Sequence, residues 1–150
     1  MQHVWAIQYR ASALLLVSDP PLSDRLGRAQ RIAHETAHMW FGNLVTMQWF
    51  DDVWTKEVFA NFMAGKIVNP VFPEVDHELN FLVSHYPPAY AVDRSQGANP
   101  IRQALPNLNQ AGQLYGSIIY HKAPIMMRQL ELIVGEEGLR AGLGDYLEQF

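Results

Sequence analysis

The sequence predicts a mainly α-helical domain with a short β segment at its N-terminus. Three observations carry that expectation. Apolar residues recur at spacings of three and four over several long segments. Strand-like composition is concentrated in the first seventeen residues. The chain's 150 residues, 49% hydrophobic and 17% charged, suit one globular unit with a core of its own.

Residues 4–17, VWAIQYRASALLLV, are rich in Val, Ile, Tyr and Leu and predict one or two strands. SDPPLSD, residues 18–24, is a turn, because two adjacent prolines forbid regular structure. From Ser23 to about Trp40 the pattern is helical, with Leu22, Leu26, Ala29, Ala33, Ala37 and Trp40 on one face. Ser23 suits the N-cap and Gly42-Asn43 the stop. Residues 44–50 look extended. Asp51 or Asp52 then caps a second helix carrying Trp54, Val58, Phe62 and Ile67, which Asn69-Pro70 ends. A third helix is expected from Pro73 to about His85. Residues 86–112 hold four prolines, two glycines and no apolar period, which predicts a long functional loop. Helix returns over 121–134, with Pro124 in its first turn. The final segment, GEEGLRAGLGDYLEQF, is amphipathic and reads as cut short.

Composition removes several classes of function. A net charge of −4 with scattered Lys and Arg gives no electrostatic footprint for nucleic acid and no basic block for an anionic membrane. ALLLV, residues 13–17, is too short for a membrane span. The absence of cysteine excludes disulfides, thiolate metal sites and cysteine nucleophiles, and leaves the compartment open.

One stretch carries chemistry: HETAHMWFGNLVTMQWFDDVWTKE, residues 34–57. Residues four apart on a helix share a face, so His34 and His38 can aim two imidazole nitrogens at one ion. Zinc accepts such nitrogens at about 2.0–2.1 Å. Glu57, eighteen residues after His38, supplies a third ligand if the two helices pack together. Two imidazoles and one carboxylate leave a fourth position open, the composition of a catalytic zinc site. Glu35 is rotated by roughly 100° from His34, so it misses the ion but reaches a water beside it. As general base it takes the water's proton and passes it to a leaving amine, which is peptide hydrolysis. By chance alone H-E-x-x-H arises on the order of once in a hundred such chains, and a glutamate at one set later position makes it about twenty times rarer.

These residues resemble the zinc motif of the alanyl and puromycin-sensitive aminopeptidases, gluzincins with the pattern H-E-x-x-H-x18-E. Trp40-Phe41-Gly42-Asn43-Leu44-Val45-Thr46, Asp51-Asp52 and Trp54 match as well. IIYHKAPIMMRQLE, residues 118–131, resembles the family's Ser-Tyr-x-Lys-Gly-Ala segment. That match implies that Tyr120 is the catalytic tyrosine, donating to the oxyanion of the tetrahedral intermediate. NPIRQALPNLNQ, residues 99–110, resembles the family's His-Pro-Ile loop. MQHVWAIQYR aligns with Gly-Ala-Met-Glu-Asn-Trp-Gly-Leu-Ile-Thr-Tyr-Arg. Gln2 there takes the place of the glutamate that holds the substrate's free amine, and Trp5 replaces a glycine. Lys56 and Val58 stand where the family usually has Asn and Gly, and helical geometry predicts that Lys56 points away from the ligands.

The resemblance implies a thermolysin-like metallopeptidase catalytic domain, here a fragment over residues 1–150. It also implies one Zn2+ per chain, a peptide substrate cleaved at its N-terminus, and missing N- and C-terminal domains of a larger protein. Two other readings stay open at this point. One is a non-catalytic zinc- or peptide-binding fragment. The other is a zinc endopeptidase or epoxide hydrolase of the same fold. His3, His77, His85 and His121 are expected to be non-ligands, and Trp49, Phe50, Trp54, Phe59, Phe62 and Met126-Met127 to be core. Asn61, one turn after Glu57, is placed to support a ligand. Asp51 or Asp52 is placed to orient a histidine or to cap a helix.

Overall fold

A two-residue antiparallel ladder opens the chain, Gln2–His3 (β1) against Ala6–Ile7 (β2). The computed structural model describes residues 2–3, 6–113 and 115–149, and only the backbone of Gln2, His3 and Gln113. The strand expected to continue to residue 17 does not form. Ala11–Leu14 close a single helical turn (α1), and Leu15 and Val17 stand 73% and 71% exposed. Among the described residues a strand there has no neighbour to complete its ladder, so the backbone satisfies itself locally. Arg31 and Arg28 from the next helix donate to the carbonyls of Ala13 and Leu14.

That helix, Leu22–Ala37 (α2), starts one residue before the expected cap. Pro21, with φ already at −59°, occupies the N-cap position instead of Ser23. The backbone leaves the helix at His38, earlier than Trp40. Residues 39–45 turn, with a single bridge between Phe41 and Val45, so the extended segment expected over 44–50 is mostly absent. A 3-10 turn at Phe50–Asp52 leads into Val53–Val68 (α3), close to the expected bounds. Small residues line the facing surfaces of this pair. Ala33 and Ala37 of α2, and Ala60 and Ala64 of α3, are all buried. Ala33 and Ala64 form the first core cluster with Leu26 and Val68, and the small side chains let the two backbones approach.

His77–Asp93 (α4) begins later and ends later than expected. Asp76 caps it by accepting from Leu79 N at 3.0 Å, so the helix starts at His77 and not Pro73. It then runs through Pro87 and Pro88. The two missing N–H groups free the carbonyls of Val83 and Ser84, both on exposed residues where water can pair them. The predicted loop is correspondingly shorter and contains a 3-10 segment at Leu108–Gln113. A π-helical turn, Ile118–Lys122, then enters Ala123–Val134 (α5), with Pro124 in its first turn as expected. Gly135, at φ +78°, breaks the direction before Glu136–Gln149 (α6).

Two further core clusters fix the rest. Val53, Leu105 and Ile119 join the start of α3 to the loop and the π turn. Val58, Ala123, Met127 and Leu139 join α3 to α5 and α6. Val58, at a position where the resemblance has glycine, therefore fills core. Trp54, Phe59 and Phe62 pack against these clusters as expected. Trp49 sits at the rim, edge-on to Phe50, with its indole N–H donating to the Leu105 carbonyl at 2.7 Å. Only Met127 of the methionine pair is buried. Among the described residues no helix is long and apolar enough to cross a membrane.

α4 meets the π turn through a pair of histidines. The Nδ1 atoms of His85 and His121 lie 3.3 Å apart, and Phe81 stacks on His85. Burial, together with the charge His121 would carry, pushes the His85 pKa down to about 4. Burial lowers His121 as well. His85 in the unfolded chain takes its proton near the ordinary 6.5. Between those values the unfolded chain binds more protons, so folding stability falls as pH drops from 7 towards 4. Urea denaturation at pH 7.5 and pH 5 is expected to show a smaller loss for His85→Gln than for the wild type. Equal losses would mean that the His85 ring protonates in the folded protein as it does in solution.

Candidate metal centre

The ligand pattern depends on where α2 stops. His34 lies in its last turn and His38 at its C-cap, one turn apart on the face beside the buried alanines. Their Nε2 atoms are 3.0 Å apart and the rings meet at 87°. Glu57 reaches in from the second turn of α3. Its Oε2 lies 3.5 Å from His34 Nε2 and 3.7 Å from His38 Nε2. Three ligand atoms bonded tetrahedrally at about 2.0–2.1 Å would be separated by about 3.3 Å, which these distances bracket.

The outer nitrogens are occupied. His34 Nδ1 lies 2.9 Å from Asn61 Oδ1, and His38 Nδ1 lies 3.0 Å from the Phe41 carbonyl. Both acceptors call for the N–H on Nδ1, which leaves both Nε2 lone pairs aimed inward. Two lone pairs and a carboxylate oxygen facing one point repel unless a cation lies between them. The donor set therefore fits a divalent metal ion. Among the described residues this is the one group of three or more His, Asp and Glu side chains so arranged. Asn61 supports His34 as its position one turn after Glu57 suggested.

His38 and Glu57 are 3% and 4% exposed. Burial pushes the Glu57 carboxyl up, but a proton on either Nε2 in place of a metal, donated by His34 or His38, together with the charge of Lys56, holds it well below the usual carboxylate range. Burial raises the Tyr120 phenol far above its ordinary value. The charges of Glu57, Tyr115 and Glu35 and a hydrogen bond to Glu57 add to this. Tyr120 thus stays protonated and faces the same centre. Glu35 is half-buried and lines a cavity of about 620 Å3 with Tyr9, Arg10, Arg28 and Arg31. Its charge adds to burial in raising Tyr9.

A match to a known family settles where this centre belongs. The model of the peptidase family M1 domain matches residues 1–150. The chain belongs to peptidase family M1. It is 36% identical, over its whole length, to "Probable aminopeptidase 1" of Sulfurisphaera tokodaii and spans 19% of that protein. It is 35% identical to "Leucyl aminopeptidase" of Saccharolobus solfataricus, again over its whole length and 19% of the relative. Human "Endoplasmic reticulum aminopeptidase 2" is 35% identical over 153 aligned residues, 16% of its length. The chain thus spans about a fifth of the length of these M1 relatives.

Several expectations need correction around the M1 centre. Asp51 and Asp52 neither orient a histidine nor cap α3 through their side chains. Asp51 Oδ1 accepts from Leu105 N at 2.6 Å, and Asp52 pairs with Arg102 at 2.7 Å. Lys56 does not point away, since its Nζ lies 3.4 Å from Glu57 Oε1. His85 and His121 do meet, but no third ligand joins them among the described residues. His77 lies 2.8 Å from the Phe72 carbonyl, away from the centre. Gln2 is described by backbone only, paired with Ile7, and its side chain, that of His3 and the whole of Trp5 lie outside the described residues.

Gly42 was read only as a helix stop, yet it shapes the site. Its φ is +130°, and a Cβ built there would lie 3.3 Å from His38 Nδ1 and 3.5 Å from Lys56 Cβ. Its signal in the sequence was its place four residues after His38, where the chain must double back past the ring. Gly42→Ala is expected to cost about 1–3 kcal/mol in urea denaturation through backbone strain. It should also weaken metal binding by moving His38. Unchanged stability would show that this turn relaxes freely.

Proposed function

We propose that this chain carries the zinc-binding centre of a metalloaminopeptidase, as part of a catalytic domain that extends beyond residues 1–150. The single observation behind the reading is the convergence of His34 Nε2, His38 Nε2 and Glu57 Oε2, with both Nδ1 atoms held by acceptors. Two nitrogens and one oxygen in that geometry suit zinc with an open fourth position. When bound, zinc would acidify a water and polarise the substrate carbonyl.

The chain's own residues do the rest. Glu35, next to His34 and open to the adjoining cavity, takes the proton from the attacking water and delivers it to the leaving amine. Tyr120, kept protonated, donates to the oxygen that becomes negative during attack. Gln2, on the first strand, supplies an amide oxygen to the substrate's free ammonium. It carries no charge, so it holds that group less strongly than a carboxylate would. The names of the three relatives described above, each an aminopeptidase, support cleavage at a free N-terminus.

Partner domains are part of the same proposal. Leu132 and Ile133 are 74% and 81% exposed, and Trp40, Ile67 and Leu147 line an open apolar groove of about 570 Å3. Surfaces of that kind fit burial against further domains.

Zinc content and peptide turnover, measured together on three variants, test the reading. His38→Ala should lose zinc. Glu35→Gln should keep zinc and lower kcat by about 10²–10⁴-fold. Tyr120→Phe should keep zinc and lower kcat by about 10²–10³-fold. Loss of zinc in Glu35→Gln would make Glu35 a structural group. Equal cleavage of peptides with free and blocked N-termini would overturn the aminopeptidase assignment and leave an endopeptidase.

A further inference from the structure

Lys56 is adjacent to a metal ligand, and the structure gives it a partner there. Neighbouring side chains on a helix diverge by roughly 100°, so two charged neighbours do not ordinarily meet. Here they do, with Lys56 Nζ 3.4 Å from Glu57 Oε1. Gly42 makes this possible. Lys56 Cβ and Cδ both lie 3.5 Å from where a Gly42 Cβ would be, so the bare glycine leaves room for the lysine stem. The ammonium also lies 6.0 Å from the centroid of the Tyr115 ring. Its side chain is only 21% exposed.

The carboxylate is consequently divided. Oε1 faces the lysine, and Oε2 faces the two imidazoles. We propose that Lys56 is a positioning residue that restricts Glu57 to one-oxygen metal ligation and sets metal affinity below what the three ligands alone would give. The inference rests on the metal centre proposed above. Two effects act in the same direction. A fixed cation beside the ligating carboxylate repels a divalent ion and offsets the negative charge that attracts it. By holding Oε1, the lysine also opposes the two-oxygen mode, which would add a bond and fill the open position.

Competition for zinc against a chromophoric chelator, on the full chain, tests this directly. Lys56→Met keeps the stem that packs on Gly42 and removes the charge. Its zinc Kd should fall by about tenfold or more, the scale on which groups behind a ligand act. Lys56→Gln carries the same expectation and serves if Lys56→Met fails to fold. Lys56→Arg should stay near the wild type. With cobalt(II) in place of zinc, the visible bands of Lys56→Met should weaken, as they do when coordination rises from four to five. Zinc bound with equal or lower affinity by folded Lys56→Met and Lys56→Gln would overturn the role of Lys56 and leave the metal centre standing. No zinc bound by the wild type or by either variant would overturn both.

Discussion

A carboxylate buried beside two imidazoles is the constraint on which the rest of the structure depends. Glu57 lies inside the fold with its charge, and an isolated buried carboxylate costs several kcal/mol. Lys56 offsets that cost at Oε1, and His34 and His38 can add to this at Oε2 by sharing a cation or a proton with it. They can do so only if α2 and α3 run close together. The alanines at positions 33, 37, 60 and 64 allow that approach, because larger side chains would push the helices beyond the reach of a glutamate. Helix packing and ligand geometry are therefore one requirement. The helix must also stop at His38, since the Phe41 carbonyl that fixes its ring becomes available only once the chain turns back.

The π turn at Ile118–Lys122 is the second organising element. Its four last residues each have a different anchor. Ile119 is buried against Val53 and Leu105, Tyr120 bonds to Glu57, His121 meets His85, and Lys122 pairs with Asp93 at 2.9 Å. A regular α-helix would place these four side chains at steps of roughly 100°. The wider turn changes that spacing, and such turns recur at functional sites. Tyr120 is held beside Glu57 because its three neighbours are each tied to something else.

The parts legible in the sequence are those governed by spacing within one element. The i, i+4 histidines, the bounds of α3 and Pro124 in the first turn of α5 follow from helical periodicity and local chemistry. Even Asn61 was accessible, as the residue one turn from Glu57. What escaped depends on tertiary partners. Of the one or two strands expected over residues 4–17, the part beyond Ile7 has no neighbour among the described residues, so ASAL coils into a turn of helix. Asp51 and Asp52 look like caps, but a loop fifty residues away claims both. Lys56 was placed by the angle of its Cα–Cβ bond. A four-carbon stem lying over a glycine can bring its end back to a neighbouring charge.

Pro87 and Pro88 show why a strong local rule gave way. Two prolines argue for the end of a helix near His85, and the cost of continuing past them is about 3 kcal/mol or more each in a regular interior. Here the freed carbonyls belong to exposed residues that water can reach, which reduces that cost. The extra turns also return something, since Ala89 is buried and Asp93 is carried to Lys122. Had α4 ended at His85, the π turn would keep its histidine contact and lose its lysine anchor. The residues that break the helical rule thus help to hold Tyr120, far from them in sequence, against the buried carboxylate. A local conflict tolerated for the sake of a site is what consistency between levels leads one to look for.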